Sequence, residues 1–136
     1  MPQLDDYTVT ITREMSWGQM DAFQHMNNIE YFRYFEDARI QYFERADLID
    51  RSSGGGFDRV GPILASTSCQ FKAPLAYPAT IVAGARVIEL EDDRFKLEHA
   101  VADRASDHIA AVGEALIVTF DYSEGDKVEV PDKWLD

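Results

Sequence analysis

The chain has 136 residues, 46% of them hydrophobic and 28% charged, and 25 acidic against 13 basic side chains leave a net charge of −12. That length supports one domain with a real core, and that charge excludes nucleic acid and anionic membrane surfaces as partners. Cys69 is the only cysteine, which excludes an internal disulfide and a cysteine zinc site.

The charge does not forbid an anionic ligand, because a few local cations outweigh distant bulk charge after screening. No apolar run approaches membrane-spanning length. The opening residues, MPQLDDYTVT, lack the basic flank and apolar run of a signal peptide. The expectation is a cytoplasmic protein.

In chain order, Tyr7 to Met15 alternates with branched residues, Thr8-Val9-Thr10-Ile11-Thr12, and predicts a strand. A loop follows that carries one carboxylate, Asp21, and one imidazole, His25. Asn27 is suited to cap a helix, and Glu30 stands three residues on, where a carboxylate reaches back to the cap. The helix is expected to run to about Asp50. At 100° steps Tyr31, Phe32, Tyr34, Phe35, Ala38, Tyr42 and Phe43 cover one wide arc, and Arg33, Asp37, Gln41, Glu44 and Asp47 lie opposite. An arc this wide suits a helix wrapped by a sheet. Arg39 intrudes into it at i+3 from Glu36, a spacing that permits an ion pair. Asp21 and His25 thus precede a helix start, where free N–H groups and the positive dipole end suit a carbonyl that becomes an oxyanion.

Ser52-Ser53-Gly54-Gly55-Gly56 ends the helix and reads as a linker; with no Gly-Lys-Ser/Thr following it is not a phosphate loop. Four strand-like runs come next: Ile63 to Lys72, Thr80 to Leu90, Phe95 to Asp103 and Ile109 to Tyr122. Short turns between them predict an antiparallel meander. His99 falls on the apolar face of its strand and reads as a hydrogen-bonded core histidine; His108 falls in a turn and reads as solvated. No Gly-x-Ser-x-Gly is present, so a serine triad is not indicated. The residues from 123 to 136 form a polar tail ending at Trp134-Leu135-Asp136. The whole, 1–136, is one α+β domain of order β-α-β-β-β-β, a curved antiparallel sheet around one long helix. A single sheet layer leaves its outer face and edges uncovered, and self-association is the usual remedy.

The segment MDAFQHMNNIEYFRYFEDAR resembles the acyl-CoA thioesterases of the 4-hydroxybenzoyl-CoA thioesterase-like family, which has the hotdog fold. Asp21, His25, Asn27, Asn28, Tyr31, Glu36 and Arg39 match that family's pattern, and GPILASTSCQFKAPLAYPATI resembles its second strand, proline turn and third strand. The chain departs from the pattern at Gln19, where many members are acidic, at Gln24, where many have Gly, and at Pro78-Ala79, where Gly-Asp is common. Some members place basic residues for the CoA phosphates at a turn that here reads Glu91-Asp92-Asp93, with Arg94 and Lys96 beyond.

The resemblance implies an acyl-CoA thioesterase in which Asp21 attacks the thioester carbonyl or activates water. The backbone N–H of Asn28 would polarise the carbonyl oxygen. His25 would orient Asp21 or touch substrate, or else pack at the helix start. Asn27, Tyr31, Ser66, Thr67 and Arg94 are candidates for substrate binding, with Lys96 and Arg59 further candidates for the phosphates. Phe32 and Phe35 would join Tyr31 in an acyl slot between subunits. No metal and no cofactor is implied. The expected partners are an acyl-CoA and other copies of the chain, as a dimer or a tetramer built from dimers. Two other functions fit the same fold: an enoyl-thioester hydratase or dehydratase, and a non-catalytic acyl-CoA-binding module.

Overall fold

The structure, a computed structural model, describes residues 2–46 and 60–130. The glycine linker, Arg59 and Trp134-Leu135-Asp136 lie outside the described residues. A short 3-10 turn, Pro2–Leu4, precedes β1 (Val9–Glu14), and a second, Trp17–Gln19, leads toward helix α1 (Asn28–Arg45). Then come β2 (Val60–Phe71), β3 (Thr80–Leu90), β4 (Arg94–Asp103), β5 (His108–Asp121) and the two-residue β6 (Asp126–Lys127). The start of the long central helix and the four long strands stand where sequence pattern put them; α1 ends at Arg45 rather than near Asp50, and residues 47–50 lie outside the described residues; β6 was not foreseen.

All six strands form one antiparallel sheet, ordered β1-β3-β4-β5-β2, with β6 continuing along β5. The expected meander holds for β3, β4 and β5. It fails for β2, which pairs with β5 across the sheet, Cys69 facing Gly113 and Phe71 facing Ala111. The β2–β3 connection spans residues 72–79 and contains Pro74 and Pro78, a span long enough to cross the sheet end rather than close a hairpin. Register shifts at Leu64/Ser66, Val87/Glu89 and Val101/Ala102 let the strands bend around the helix.

Helix α1 packs mainly on β3, β4 and β1. Tyr31, Tyr34, Phe35 and Ala38 are buried against Ile81, Ala83, Ala85 and Val101. At its far end Phe43 meets Phe95, Leu97 and Ile117. Phe35 reaches the sheet floor because residue 113 is glycine: a methyl there would collide with the Phe35 ring and the Ser68 carbonyl. Arg39 also turns inward instead of pairing with Glu36. Its Nη1 lies 3.4 Å from Nε2 of His99, whose ring stacks on Phe35 at 5.2 Å. The pair fails to close because the helical arc places Arg39 over the core.

The sheet's outer face is not uniformly bare. The N-terminal turn lays Leu4 and Tyr7 over Val82, Ala100 and Ala102. The Tyr7 hydroxyl donates to Glu98 Oε1 at 2.8 Å, and the Arg86 guanidinium sits 4.5 Å above the Tyr7 ring. Both faces of β3 from Ile81 to Ala85 are therefore buried, which explains a nearly continuous apolar run where alternation is the rule for a half-exposed strand.

Candidate functional site

The loop between the second 3-10 turn and α1 is a small hairpin. Met20 and Met26 form a bridge, the Asp21 N–H donates to the His25 carbonyl at 3.0 Å, and the Gln24 N–H donates to the Asp21 carbonyl at 3.0 Å. Gln24 sits at φ 63, the left-handed region where glycine is at ease. The Asp21 side chain folds over its own turn, its Oδ1 accepting from the Phe23 N–H at 2.9 Å. Asp21 Oδ2 makes no hydrogen bond among the described residues.

Two backbone ties fix this hairpin to the fold. The Met26 N–H donates to the Leu75 carbonyl at 2.6 Å, joining the loop to the β2–β3 connection, and the Asn27 N–H donates to the Gln19 carbonyl at 2.9 Å. The Gln19 side chain reinforces the second tie: its Oε1 accepts from the Tyr34 hydroxyl at 2.8 Å and from the Ser16 N–H at 3.0 Å. Burial, the chief cause, raises the Tyr34 hydroxyl's pKa, so it stays a donor to Gln19. Gln19 thus anchors the site, a role that its sequence position alone does not reveal.

Asn27 caps α1 as expected, its Oδ1 accepting from the Ile29 N–H at 3.1 Å. Glu30 does not complete a capping box. It instead accepts from Gln19 Nε2 at 3.3 Å and lies 3.7 Å from Arg33, because the Asn27 N–H is already taken by Gln19. The Asn28 N–H, at the positive end of an 18-residue helix, makes no hydrogen bond among the described residues.

Asp21, His25, Asn28 and Tyr31 line one open cleft of about 440 Å³, together with Phe23, Met26, Phe71, Lys72, Ala73 and Pro74. Tyr31 and Phe71 meet edge to face at 5.2 Å and wall it; burial, the leading cause, raises the Tyr31 hydroxyl's pKa. The second wall, Phe71 to Pro74, was missed by sequence reasoning. Its signal was the tie between the β2–β3 connection and residue 26, which no local pattern carries.

The remaining candidates stand elsewhere. Phe35 is fully buried core, and Phe32 packs against that core. Ser66 and Thr67 are exposed on β2, and Thr67 Oγ1 donates to the Glu114 carbonyl at 3.1 Å. Arg94 and Lys96 line a different cleft with Glu89 and Glu91. The Arg94 guanidinium is held by Asp93 at 2.7 Å and keeps that carboxyl below its ordinary range. Lys96 lies 3.7 Å from Glu89. Burial pushes the Cys69 thiol up to about 11, which leaves almost no thiolate near neutrality. Among the described residues no cluster of His, Cys, Asp and Glu is arranged to hold a metal, and no helix is long and apolar enough to cross a membrane.

Comparison with known proteins bears on the family and the fold. A family profile described as the thioesterase-like superfamily matches residues 15–136. The PA2801 protein of Pseudomonas aeruginosa superposes with a TM-score of 0.82 at 26% identity, over 93% of this chain and 95% of that one. Two further structures are similar in fold. A 1,4-dihydroxy-2-naphthoyl-CoA thioesterase from Synechocystis has a TM-score of 0.79 at 16% identity, over 93% and 92% of the two chains. A thioesterase of Thermus thermophilus complexed with coenzyme A and zinc has 0.77 at 23%, over 94% and 89%. In sequence, the uncharacterized protein YsmA of Bacillus subtilis is 31% identical over 55 residues, which span 40% of this chain and 34% of that protein.

Proposed function

The chain belongs to the thioesterase-like superfamily and is a thioester hydrolase, and from that premise we propose that its substrate is an acyl-CoA, cleaved to the free acid and CoA. The observation that carries this reading is the shared cleft of Asp21 and Asn28: a carboxylate with a free oxygen beside a helix start with a free N–H.

The thioester carbonyl oxygen accepts from the Asn28 N–H, where the helix dipole favours the charge that develops as the carbonyl carbon becomes tetrahedral. Asp21 Oδ2 then acts in one of two ways. As a nucleophile it bonds to the carbonyl carbon, the C–S bond breaks, and CoA leaves as a thiolate that takes a proton from solvent; water hydrolyses the resulting anhydride and restores Asp21. As a general base it takes a proton from the water that attacks the same carbon, the C–S bond then breaks, and the departing CoA thiolate takes up a proton from Asp21 or solvent. His25 supports the loop through its carbonyl bond to Asp21 and borders the substrate, and Tyr31 and Phe71 wall the acyl group. Asn27 serves the site by fixing the helix start. The protein works in the cytoplasm as a homo-oligomer.

A panel of acyl-CoAs tests the activity. Asp21→Asn is expected to keep the wild-type melting temperature and lose at least about a hundredfold in kcat/KM, the scale of a missing general base or more. Retention of more than about a tenth of wild-type kcat/KM would remove Asp21 from the chemistry.

A further inference from the structure

We propose that Lys72 is the anion-recognition residue of this cleft and that the thioester substrate carries an anionic oxygen group, carboxylate or phosphate, that it grips. The inference rests on the thioesterase reading and adds a substrate class to it.

Lys72 lines the same cleft as Asp21 and Asn28. Its base is fixed at the cleft rim, because the Lys72 and Ala73 N–H groups both donate to the Ala110 carbonyl, at 2.7 and 3.0 Å. Pro74 follows and stiffens the exit. From that fixed base the ammonium has no carboxylate within ion-pair distance among the described residues. Among the described Lys and Arg residues, Arg33, Arg86, Arg94 and Lys96 each have a carboxylate partner, and of those without one Lys72 alone lines this cleft.

Charge balance points the same way. The cleft already holds the Asp21 carboxylate, and the chain carries −12, so an anionic substrate enters against the field unless a local cation offsets it. The cations that the CoA phosphates were first expected to meet, Arg94 and Lys96, are engaged by acidic neighbours in another cleft. Lys72 and Asp21 line the same cleft, and a Lys ammonium offers three rotatable donors to an anionic oxygen.

The test compares wild type with Lys72→Gln, Lys72→Arg and Lys72→Glu on paired thioesters. One pair has the same acyl group on CoA and on N-acetylcysteamine, which lacks phosphates. The other pair has a neutral acyl chain and its ω-carboxy counterpart. Lys72→Gln is expected to raise KM about tenfold where the gripped anion is present, more than it lowers kcat, because a charge-assisted hydrogen bond to substrate is lost in ground and transition states alike. A rise on all CoA thioesters, at least about fivefold smaller on N-acetylcysteamine thioesters, assigns the anion to the carrier phosphates. A rise confined to ω-carboxyacyl thioesters on either carrier assigns it to the acyl group. Lys72→Arg is expected to retain most of the affinity, and Lys72→Glu to lose more than Lys72→Gln. Binding of the corresponding thioethers, which no hydrolase cleaves, repeats the comparison by calorimetry without turnover. Absence of wild-type hydrolysis therefore sinks the thioesterase reading alone. Equal thioether affinities and equal KM values, within about twofold, for wild type and Lys72→Gln overturn the Lys72 assignment.

Discussion

His99 is fully buried between Phe35 and Arg39. Burial first, and the Arg39 charge second, push its imidazole down to about 3, so near neutrality it presents a lone pair to the guanidinium. Its Nδ1 has no hydrogen-bond partner among the described residues; the expected satisfied core histidine is thus satisfied on one nitrogen. The sign of the pH dependence follows. Between about pH 6.5 and 3 the unfolded chain binds a proton here that the folded chain does not, so stability falls as pH falls through that window, by up to about 1.4 kcal/mol per pH unit. His99→Gln keeps an acceptor for Arg39 and removes the titration. Urea midpoints at pH 7, 5 and 4 are expected to fall less steeply for this variant than for wild type; equal slopes would mean that His99 is protonated in the fold. Gln24 is the complementary case. It departs from the family's glycine, and its φ of 63 explains why glycine suits a turn that brings Asp21 and His25 together.

The seat of helix α1 is decided at one point on the sheet. Gly113 faces His99 on β4 and Cys69 on β2, and the Phe35 ring fills the space that a side chain would occupy. Gly113→Ala is expected to destabilise the protein by about 3 kcal/mol or more, since neither the Ser68 carbonyl nor a core aromatic can withdraw. Gly84→Ala is milder in kind, because the nearest atoms its methyl would meet belong to the Tyr7 side chain, at 2.9 Å, and that ring lies on the outer face. Thermal melts of the two variants check the order; equal losses would show that Phe35 has another rotamer to adopt. Because α1 carries Asn28 and Tyr31 into the cleft, Gly113→Ala should also lower activity before it unfolds the chain.

At the scale of the molecule, β2 is one of the two edges of the sheet, opposite β1. Leu64, Ser66, Thr67, Ser68, Gln70 and Phe71 are all exposed along it, and a long strand edge with unpaired N–H and C=O groups is a template for another strand. Phe23, 83% exposed at the candidate cleft, and Trp17, 71% exposed, add apolar surface that a partner could cover. The expected state is a homodimer or a tetramer built from two dimers. Light scattering at micromolar concentration checks it, and a fully active monomer would end the idea.

The sequence by itself determined the elements. Aromatic periodicity announced α1, alternation announced the strands, and the Asn27 cap located the helix start beside Asp21, because these signals live within a turn or two of chain. The family pattern around Asp21 was legible for the same reason: all of it falls between residues 21 and 39. Tertiary structure decided what no local signal carries. It sent β2 across the sheet to β5, turned Arg39 away from Glu36 and toward His99, and gave Glu30 to Gln19 instead of the cap. It also brought Phe71 and Lys72 to Asp21, some fifty residues apart in the chain. Hydrogen-bond and charge partners are chosen by distance in the folded state, and strand pairing by which edge remains open once the helix is seated; neither is written in the spacing of residues along the chain.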